Sequence, residues 1–351
     1  MYTISIPELK ELLSHTAFRQ RQPVMIWGQP GVGKSQAVAQ VTAAHGGQLV
    51  DIRLSQYDSV DLRGIPSAEN GITVWNVPST LPFKGNPTFD EKLPCVVLFL
   101  DEINSAAPSV SAVAYQLVND RRVGEHELMD NVVIIAAGNR ETDKGVTNKM
   151  PTPLANRFRP HVEVGLDVDA VCVHFQEIGL PEIGVAFLQF RKHLVSTFIV
   201  EKDGHPTVTL NKAFATPRTW EAALGYYADP HMPESIKRIA MAGTIGTGEA
   251  GEFWGFVKTY DQISTIIPQI MKDPVRAPVP EEQSMLYAVT VALSGRMDTQ
   301  TLGLIHTYLK RLQPEYVMLA WMLATKRDES LMSTPEFIDF SKRYKEVFQN
   351  N

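Results

Sequence analysis

The stretch Gly28-Gln29-Pro30-Gly31-Val32-Gly33-Lys34-Ser35 decides the fold of this chain of 351 residues. It fits the pattern G-x-x-x-x-G-K-[ST], which is typical of a loop that binds nucleotide phosphates. The run Pro23-Val24-Met25-Ile26-Trp27 before it suits a short, buried parallel strand. The residues from Gln36 to His45 are mostly good helix formers. A strand, a glycine loop and a helix in this order predict a nucleotide site rather than a chance match.

The residue types of this loop suit ATP and Mg²⁺. Glycines at positions 28, 31 and 33 let the main chain turn tightly and approach the phosphates. Loop N–H groups and the N-terminus of the following helix then face negative charge. Lys34 is predicted to reach the β- and γ-phosphates, and the Ser35 hydroxyl to bind Mg²⁺. Gln36 completes the predicted nucleotide-binding set, which is Gly28, Gln29, Pro30, Gly31, Val32, Gly33, Lys34, Ser35 and Gln36.

A second landmark is the apolar run Val96-Val97-Leu98-Phe99-Leu100, which two acids follow. The run predicts a central parallel strand buried on both faces, and ligands of such sheets bind at the carboxyl ends of the strands. Asp101 is predicted to hold Mg²⁺ through water, and Glu102 to be the base that polarises the attacking water. An acidic helix cap is the alternative for an isolated pair, and the phosphate loop upstream disfavours it.

Three further polar residues complete the candidate set. Asn139 follows the apolar run 132–137, where it would orient the lytic water or touch the γ-phosphate; a turn asparagine is the alternative. Arg157 is the candidate arginine finger, although alone it would fit a surface ion pair. Arg218 falls in the first turn of a helix that Thr216 caps, which is unfavourable for a cation and indicates a nearby anion.

Bulk properties bound the class of protein. The formal net charge of −6 disfavours a general binder of nucleic acid. Cys95 and Cys172 are far apart and have no metal-binding spacing, so we expect both in the core of a protein from a reducing compartment. The sequence shows neither a signal peptide nor an apolar run long enough to span a membrane. We therefore expect a cytoplasmic protein.

The rest of the sequence predicts an insertion and a set of helices. Asn70-Gly71 predicts a hairpin, and the segment 58–83 that contains it is either a substrate loop or a hairpin packed on its own domain. A second small hairpin is predicted at Asp203-Gly204. The glycines at 243, 246, 248 and 251 are interpreted as turns between helices. After a break at 274–280, we expect four helices, at Met285–Leu293, Thr299–Leu312, Glu315–Thr325 and Pro335–Phe348.

Taken in order, these motifs resemble an AAA+ ATPase, and more narrowly the MoxR group. The Walker B motif and its continuation are Leu100-Asp101-Glu102-Ile103-Asn104 and Ala106-Ala107-Pro108, and the stretches before it are Asp61-Leu62-Arg63-Gly64 and Val77-Pro78-Ser79-Thr80-Leu81-Pro82-Phe83. Asn139 matches sensor 1, Pro153-Leu154-Ala155-Asn156-Arg157-Phe158 the arginine-finger segment, and Thr216-Pro217-Arg218 sensor 2. The resemblance is clearest from Pro23 to Val164.

The resemblance implies an α/β fold, with an αβα P-loop core over residues 1–167, a helical lid over 168–260 and a C-terminal helical segment over 261–351. It also implies a ring, usually a hexamer, in which Arg157 acts on the ATP of a neighbouring subunit. Proteins of this kind typically remodel a client protein, often with a von Willebrand A domain partner.

Four functions are compatible with the motifs. The first is an ATP-driven remodelling ATPase that changes the conformation or the metal loading of a client protein. The second is an assembly protein whose ring or filament is built by ATP binding and dismantled by hydrolysis. A nucleic-acid translocase or restriction-type NTPase is disfavoured by the net charge. A small-molecule P-loop kinase is the least favoured, because it would leave Arg157 and Arg218 without a purpose.

Overall fold

The computed structural model describes residues 1–76, 78–140, 150–202, 205–209 and 211–344. Val77, which belongs to one of the family-like stretches, and the predicted turn at Asp203-Gly204 lie outside these residues. Within them, the strands are β1 (Thr3–Ile4), β2 (Val24–Trp27), β3 (Gln48–Arg53), β4 (Ile65–Glu69), β5 (Ile72–Asn76), β6 (Val96–Asp101), β7 (Arg122–Val123), β8 (His126–Glu127), β9 (Val132–Gly138), β10 (His161–Val164), β11 (Ile199–Lys202) and β12 (His205–Val208).

The α-helices are interspersed with the strands up to β12 and follow one another from α8 onward. They are α1 (Ile6–Leu13), α2 (Lys34–Ala44), α3 (Ser59–Arg63), α4 (Pro108–Asp120), α5 (Thr152–Ala155), α6 (Val168–Glu177), α7 (Glu182–Phe190), α8 (Pro217–Ala228), α9 (Glu234–Ile245), α10 (Thr247–Lys272), α11 (Gln283–Ser294), α12 (Leu302–Leu309), α13 (Pro314–Arg327) and α14 (Pro335–Arg343).

Six of the described strands form one parallel sheet, in the order β1-β10-β2-β9-β6-β3. The apolar runs predicted as buried strands are its central members β2, β6 and β9. Because all six strands run the same way, the ends of β2, β9 and β6 meet at one edge, which we call the carboxyl edge. The predicted α/β fold class is confirmed.

Two apolar cores lie on the two faces of the sheet, because successive side chains of a strand point to opposite faces. On β6, Leu98 packs into a core that also contains α4, whereas Phe99 packs into the core of α1 and α2. Helix α2, which the sequence predicts after the phosphate loop, covers the face of the sheet to which Phe99 points. This three-layer arrangement fixes the strand ends that carry the candidate site.

The predicted hairpin at Asn70-Gly71 is present, with β4 and β5 paired antiparallel. The 58–83 insertion has a buried part and an exposed part, and its role as a substrate loop remains a prediction. Leu81 and Phe83 are buried in the core of the domain, so this part packs internally. Ile65 and Ile72 on the hairpin are 67% and 68% exposed. The hairpin thus presents apolar side chains at the surface.

The chain divides into two compact units, one made of Met1–Val171 with Ser196–Glu221 and the other of Cys172–Val195 with Ala222–Asn351. The sheet and both cores on its faces lie in the first unit. In the second unit, α11 packs against α10 and α13, and Trp321 on α13 stacks on Phe340 of α14. The three-segment division at 167 and 260 remains a prediction, and α10 runs without a break through residue 260.

Some predicted details of the helical part are wrong. Of the four glycines interpreted as turns, only Gly246 joins two helices; Gly243 lies inside α9, and Gly248 and Gly251 lie inside α10. Exposed positions tolerate glycine in a helix at a cost of about 1 kcal/mol, so the spacing of these glycines was not a turn signal. The four predicted C-terminal helices correspond to α11–α14, and the predicted end of the last one, at residues 345–348, lies outside the described residues. Both cysteines are buried, as expected.

Candidate nucleotide site

The phosphate loop joins β2 to α2 in a conformation that its glycines allow. Gly31 and Gly33 have φ angles of 76° and 100°, in the region that other residues rarely adopt. A Cβ atom at Gly28 would lie 2.9 Å from the carbonyl oxygen of Val164. Lys34 is 8% exposed, and its Nζ donates to the carbonyl oxygens of Gly28 at 2.7 Å and Gln29 at 3.1 Å. The loop's own main chain therefore holds the lysine ammonium over the loop.

The Walker B aspartate lies beside the loop serine. The Ser35 hydroxyl donates to Asp101 Oδ2 at 3.2 Å, and Asp101 Oδ1 accepts the N–H of Glu102 at 2.8 Å. A hydroxyl and a carboxylate are oxygen ligands of the type that Mg²⁺ takes, together with waters and substrate phosphates. Burial raises the pKa of Asp51 on β3, and the negative charge of Asp101 raises it further. Ser35 and Asp101 thus fit Mg²⁺ chemically.

Glu102 has a distinctive backbone and a side-chain partner. Its φ of 54° lies in the left-handed region, which turns the chain sharply after β6. Its Oε2 accepts a hydrogen bond from the hydroxyl of Ser55, which follows β3, the neighbour of β6 in the sheet. Sequence reasoning did not find this contact, because the two residues are 47 positions apart.

Asn139 follows β9 directly, between the ends of β2 and β6 in the sheet. Trp27, the last residue of β2, pairs with Gly138, so the loop that starts at Gly28 lies level with Asn139. The structure therefore brings together four of the predicted features at the carboxyl edge: the phosphate loop, Asp101, Glu102 and Asn139. The side chain of Asn104 is hydrogen-bonded to the main chain of Asn139.

Arg157 occupies a different place in the same unit. Two residues later, the N–H of Arg159 donates to the carbonyl oxygen of Pro23, just before β2 begins, whereas the phosphate loop starts after β2 ends. At 3.3 Å per residue, the strand between them spans roughly 15 Å. Arg157 is exposed, and its Nη2 lies 3.5 Å from the Tyr115 hydroxyl on α4. The structure thus does not bring Arg157 to the phosphate loop of its own chain.

His161 links the strand of the phosphate loop to the segment before Arg157. Its Nδ1 accepts from Trp27 Nε1 at 3.0 Å, and its Nε2 lies 2.7 Å from the carbonyl oxygen of Ala155. Since the indole can only donate, the neutral imidazole carries its hydrogen on Nε2 and donates to Ala155. Sequence reasoning assigned no role to His161, which it treated only as the first residue of a strand.

Arg218 lies on a helix whose first residues contact the phosphate loop. Thr216 caps α8 as predicted, with its hydroxyl accepting from the N–H of Thr219 at 3.2 Å. A Cβ atom at Gly31 would lie 3.0 Å from the Thr216 hydroxyl oxygen, so the cap packs directly on the loop. Arg218 is exposed in the first turn of this helix. This contact places a cation-bearing turn next to the predicted phosphate site, within the first unit.

Comparison with known proteins assigns the class. Residues 23–158 match the family model described as AAA domain (dynein-related subfamily). No curated protein matches the sequence significantly. Among solved structures, the chain is similar to NtrX from Brucella abortus in complex with ADP, with 12% identity over 97% of this chain and 68% of that chain and a TM-score of 0.42. It is also similar to a mutant of Thermotoga maritima RuvB, with 15% identity over 88% of this chain and 88% of that chain and a TM-score of 0.33.

Residues 23–158 therefore match an AAA domain over less than half of the chain, and the chain is an ATP hydrolase. The family match covers the phosphate loop, the Walker B acids, Asn139 and Arg157. It ends before Arg218. Among the described residues, no helix combines the length and apolar character needed to cross a membrane.

Proposed function

We propose that the protein is a MoxR-like AAA+ ATPase, which hydrolyses ATP between the subunits of a ring, usually a hexamer, and uses the cycle to remodel or activate a client protein. One observation carries the ring: the arginine that should stabilise the transferred phosphoryl group is exposed at the opposite edge of the sheet from its own phosphate loop. In a ring with head-to-tail contacts, such a residue can serve the neighbouring site.

The roles of the residues at the carboxyl edge follow from their chemistry. The phosphate loop from Gly28 to Gln36 binds the ATP phosphates, and Lys34 interacts with the β- and γ-phosphates. Ser35 and Asp101 would hold Mg²⁺, which supplies neutralisation of phosphate charge when bound. Glu102 takes a proton from the attacking water and Asn139 orients that water.

Two arginines complete the proposed site. Arg157 of one subunit stabilises charge that develops on the ATP of the next subunit. Arg218 senses the phosphates through the packing of Thr216 on Gly31. Arg218 lies in the first turn of α8, next to this contact.

The client, the MoxR-type role and a von Willebrand A domain partner are proposed from the family-like motifs around Asp101. The surface hairpin with Ile65 and Ile72 is one part of the domain that presents exposed apolar side chains to such a protein. Cys95 and Cys172 are both buried as thiols, which supports a cytoplasmic setting, where thiols stay reduced.

The proposal is tested by comparing Arg157→Ala with Arg159→Ala, which removes an exposed arginine from the same segment. We expect Arg157→Ala to lower kcat by about 10³-fold or more, since an arginine finger contributes on that order. Arg159→Ala should stay within about twofold of wild type, because surface substitutions have small effects.

Native mass measurements of both variants with ATP and Mg²⁺ complete this test. We expect each variant to form the same ring as the wild type, since neither substitution touches the phosphate loop. A protein that remains monomeric at every nucleotide and protein concentration, and hydrolyses ATP as a monomer, would contradict the ring.

A further inference from the structure

We propose that Asn104 is a positioning residue for ATP hydrolysis, which fixes Asn139 relative to Glu102. This inference rests on the proposed roles of Glu102 and Asn139. Asn104 lies in the short 3₁₀ turn Ile103–Ser105 that follows Glu102, and it is 3% exposed. It is one of the few buried polar side chains of the sheet domain, so its hydrogen bonds must be satisfied inside the protein.

Both ends of the Asn104 amide bind one residue, Asn139. The Asn104 Nδ2 donates to the carbonyl oxygen of Asn139 at 2.8 Å, and the N–H of Asn139 donates to Asn104 Oδ1 at 3.3 Å. Asn139 lies beyond the end of β9, where the ladder to β2 stops at Gly138. The side chain of Asn104 therefore takes the place of a strand partner and holds the main chain of Asn139.

We call the pair of hydrogen bonds from the Asn104 amide to the main chain of Asn139 the clamp. Gly138 shows how closely the Asn104 amide packs against β9. A Cβ atom at position 138 would lie 2.6 Å from Asn104 Oδ1 and 3.0 Å from the terminal methyl of Met25. The first distance is too short for any real contact, whereas the methionine methyl can move. Glycine at 138 is thus required mainly because the Asn104 amide occupies the space beside it.

Asn104 lies two residues after Glu102, in the same short turn. Glu102 has a left-handed φ of 54°, and Ser105 N–H donates to the Glu102 carbonyl oxygen at 2.8 Å, so the turn is closed on itself. One short, rigid turn therefore carries the proposed base and the amide that holds Asn139. A displacement of about 1 Å between groups that activate and orient a water can cost 10²-fold in rate.

The test measures kcat, KM for ATP, the Kd of a fluorescent ADP analogue and the melting temperature. We expect Asn104→Ala to lower kcat by about 10- to 100-fold, with KM and Kd within threefold. Gly138→Ala should show the same loss, because its methyl group displaces the amide. The double variant should be no slower than either single variant, since both substitutions break one clamp.

Asn86→Ala is the matched control for stability. Asn86 is 8% exposed, and its amide also holds main chain, donating to the Leu81 carbonyl oxygen at 2.8 Å and accepting from the N–H of Thr88 at 3.0 Å. These hydrogen bonds of Asn86 lie in the loop before β6, away from the carboxyl edge. Asn86→Ala should lower the melting temperature as Asn104→Ala does, and leave kcat within twofold.

Three outcomes would overturn the inference. One is a wild-type kcat in folded Asn104→Ala; another is an equal loss of kcat in Asn86→Ala. The third is a double variant whose loss is the product of the two single losses. Where Asn104→Ala does not fold, Gly138→Ala alone decides, by its kcat against its Kd. Glu102→Gln and Asn139→Ala are measured in parallel: if they keep turnover, the site assignment fails, and if they lose it while the clamp variants do not, only this inference fails.

Discussion

At the carboxyl edge of the sheet, the polar side chains are tied to each other and to the main chain. Lys34 is bonded to the loop that contains it, Ser35 to Asp101, and Asn139 to Asn104. Arg157 belongs to the same domain and is exposed, near the start of β2, with Tyr115 as its neighbour on α4. The residues at the carboxyl edge are thus fixed by hydrogen bonds within the chain, whereas Arg157 is exposed at the surface.

This difference agrees with the proposed division of the catalytic site between two subunits. Preorganised groups work best where they need no rearrangement, which suits phosphate binding and water activation. An exposed arginine with a long, mobile side chain loses entropy only when a partner holds it. If the proposed mechanism holds, a single subunit should bind nucleotide, whereas fast hydrolysis should require an assembly.

The largest expected effect concerns the fixed edge. Glu102→Gln should lower kcat by about 10²- to 10⁴-fold, the usual contribution of a general base. Binding of a fluorescent ATP analogue should stay within threefold, because the phosphate loop and the metal-binding oxygens are unchanged. Phosphate release and equilibrium binding measure the two quantities.

Glu91→Gln is the control for this prediction, since Glu91 is exposed and lies in the loop before β6. It should behave as wild type in both assays. A Glu102→Gln variant that turns over within tenfold of wild type would remove the glutamate from the proposed mechanism.

A smaller effect is expected at the phosphate loop. Alanine variants of two glycines with nearly the same φ distinguish backbone strain from contact with a neighbouring side chain. Gly31 and Gly71 have φ angles of 76° and 77°, so alanine costs each about 1–2 kcal/mol in strain. Only Gly31 has a neighbour, Thr216, at 3.0 Å, whereas Gly71 faces open space. Gly31→Ala should weaken ATP binding about tenfold or more, equal to 1.4 kcal/mol.

Gly71→Ala should lower the melting temperature about as much as Gly31→Ala does, because the backbone strain is similar. It should leave the Kd for ATP within twofold of wild type. Calorimetric titration with ATP and thermal melts of both variants make the comparison. Equal Kd values in the two variants would mean that the packing of the α8 cap on the loop is irrelevant to nucleotide binding.

The smallest effect is expected at the contact between Tyr115 and the exposed Arg157. Tyr115→Phe removes the hydroxyl that lies 3.5 Å from Arg157 and keeps the ring beneath the guanidinium. A long, exposed hydrogen bond contributes little, so kcat should remain within twofold of wild type. A tenfold loss in steady-state turnover would instead show that Arg157 depends on a fixed position within its own subunit.

Much of the site was predictable because it is encoded in adjacent residues. The strand, loop and helix around Gly28 and the acids after Leu100 carry their chemistry in local order, and the strand order then brings them together. The two-residue strand β1 was not predicted, since Thr3–Ile4 has no periodicity to detect and exists only through its pairing with β10.

The parts that sequence reasoning missed are tertiary contacts between distant residues. Ser55 contacts Glu102, Asn104 contacts Asn139 and Thr216 contacts Gly31. In each pair, the first residue has a polar side chain that in isolation is typical of an ordinary turn or cap. The glycines of α9 and α10 were misread for the opposite reason: exposed helix positions do not require a side chain, so their spacing carried no structural signal.

The most direct test of the central claim is complementation between two variants that are each inactive. Arg157→Ala keeps Glu102, and Glu102→Gln keeps Arg157, so a mixed ring contains sites with both groups intact. In an equal mixture with random assembly, about a quarter of the sites should regain both groups, and turnover should rise to about that fraction of wild type. Mixing Glu102→Gln with the double variant Glu102→Gln/Arg157→Ala is the control, and it should restore nothing. Co-assembled mixtures of the two single variants that stay inactive, or an Arg157→Ala protein that hydrolyses ATP at the wild-type rate alone, would contradict catalysis between subunits.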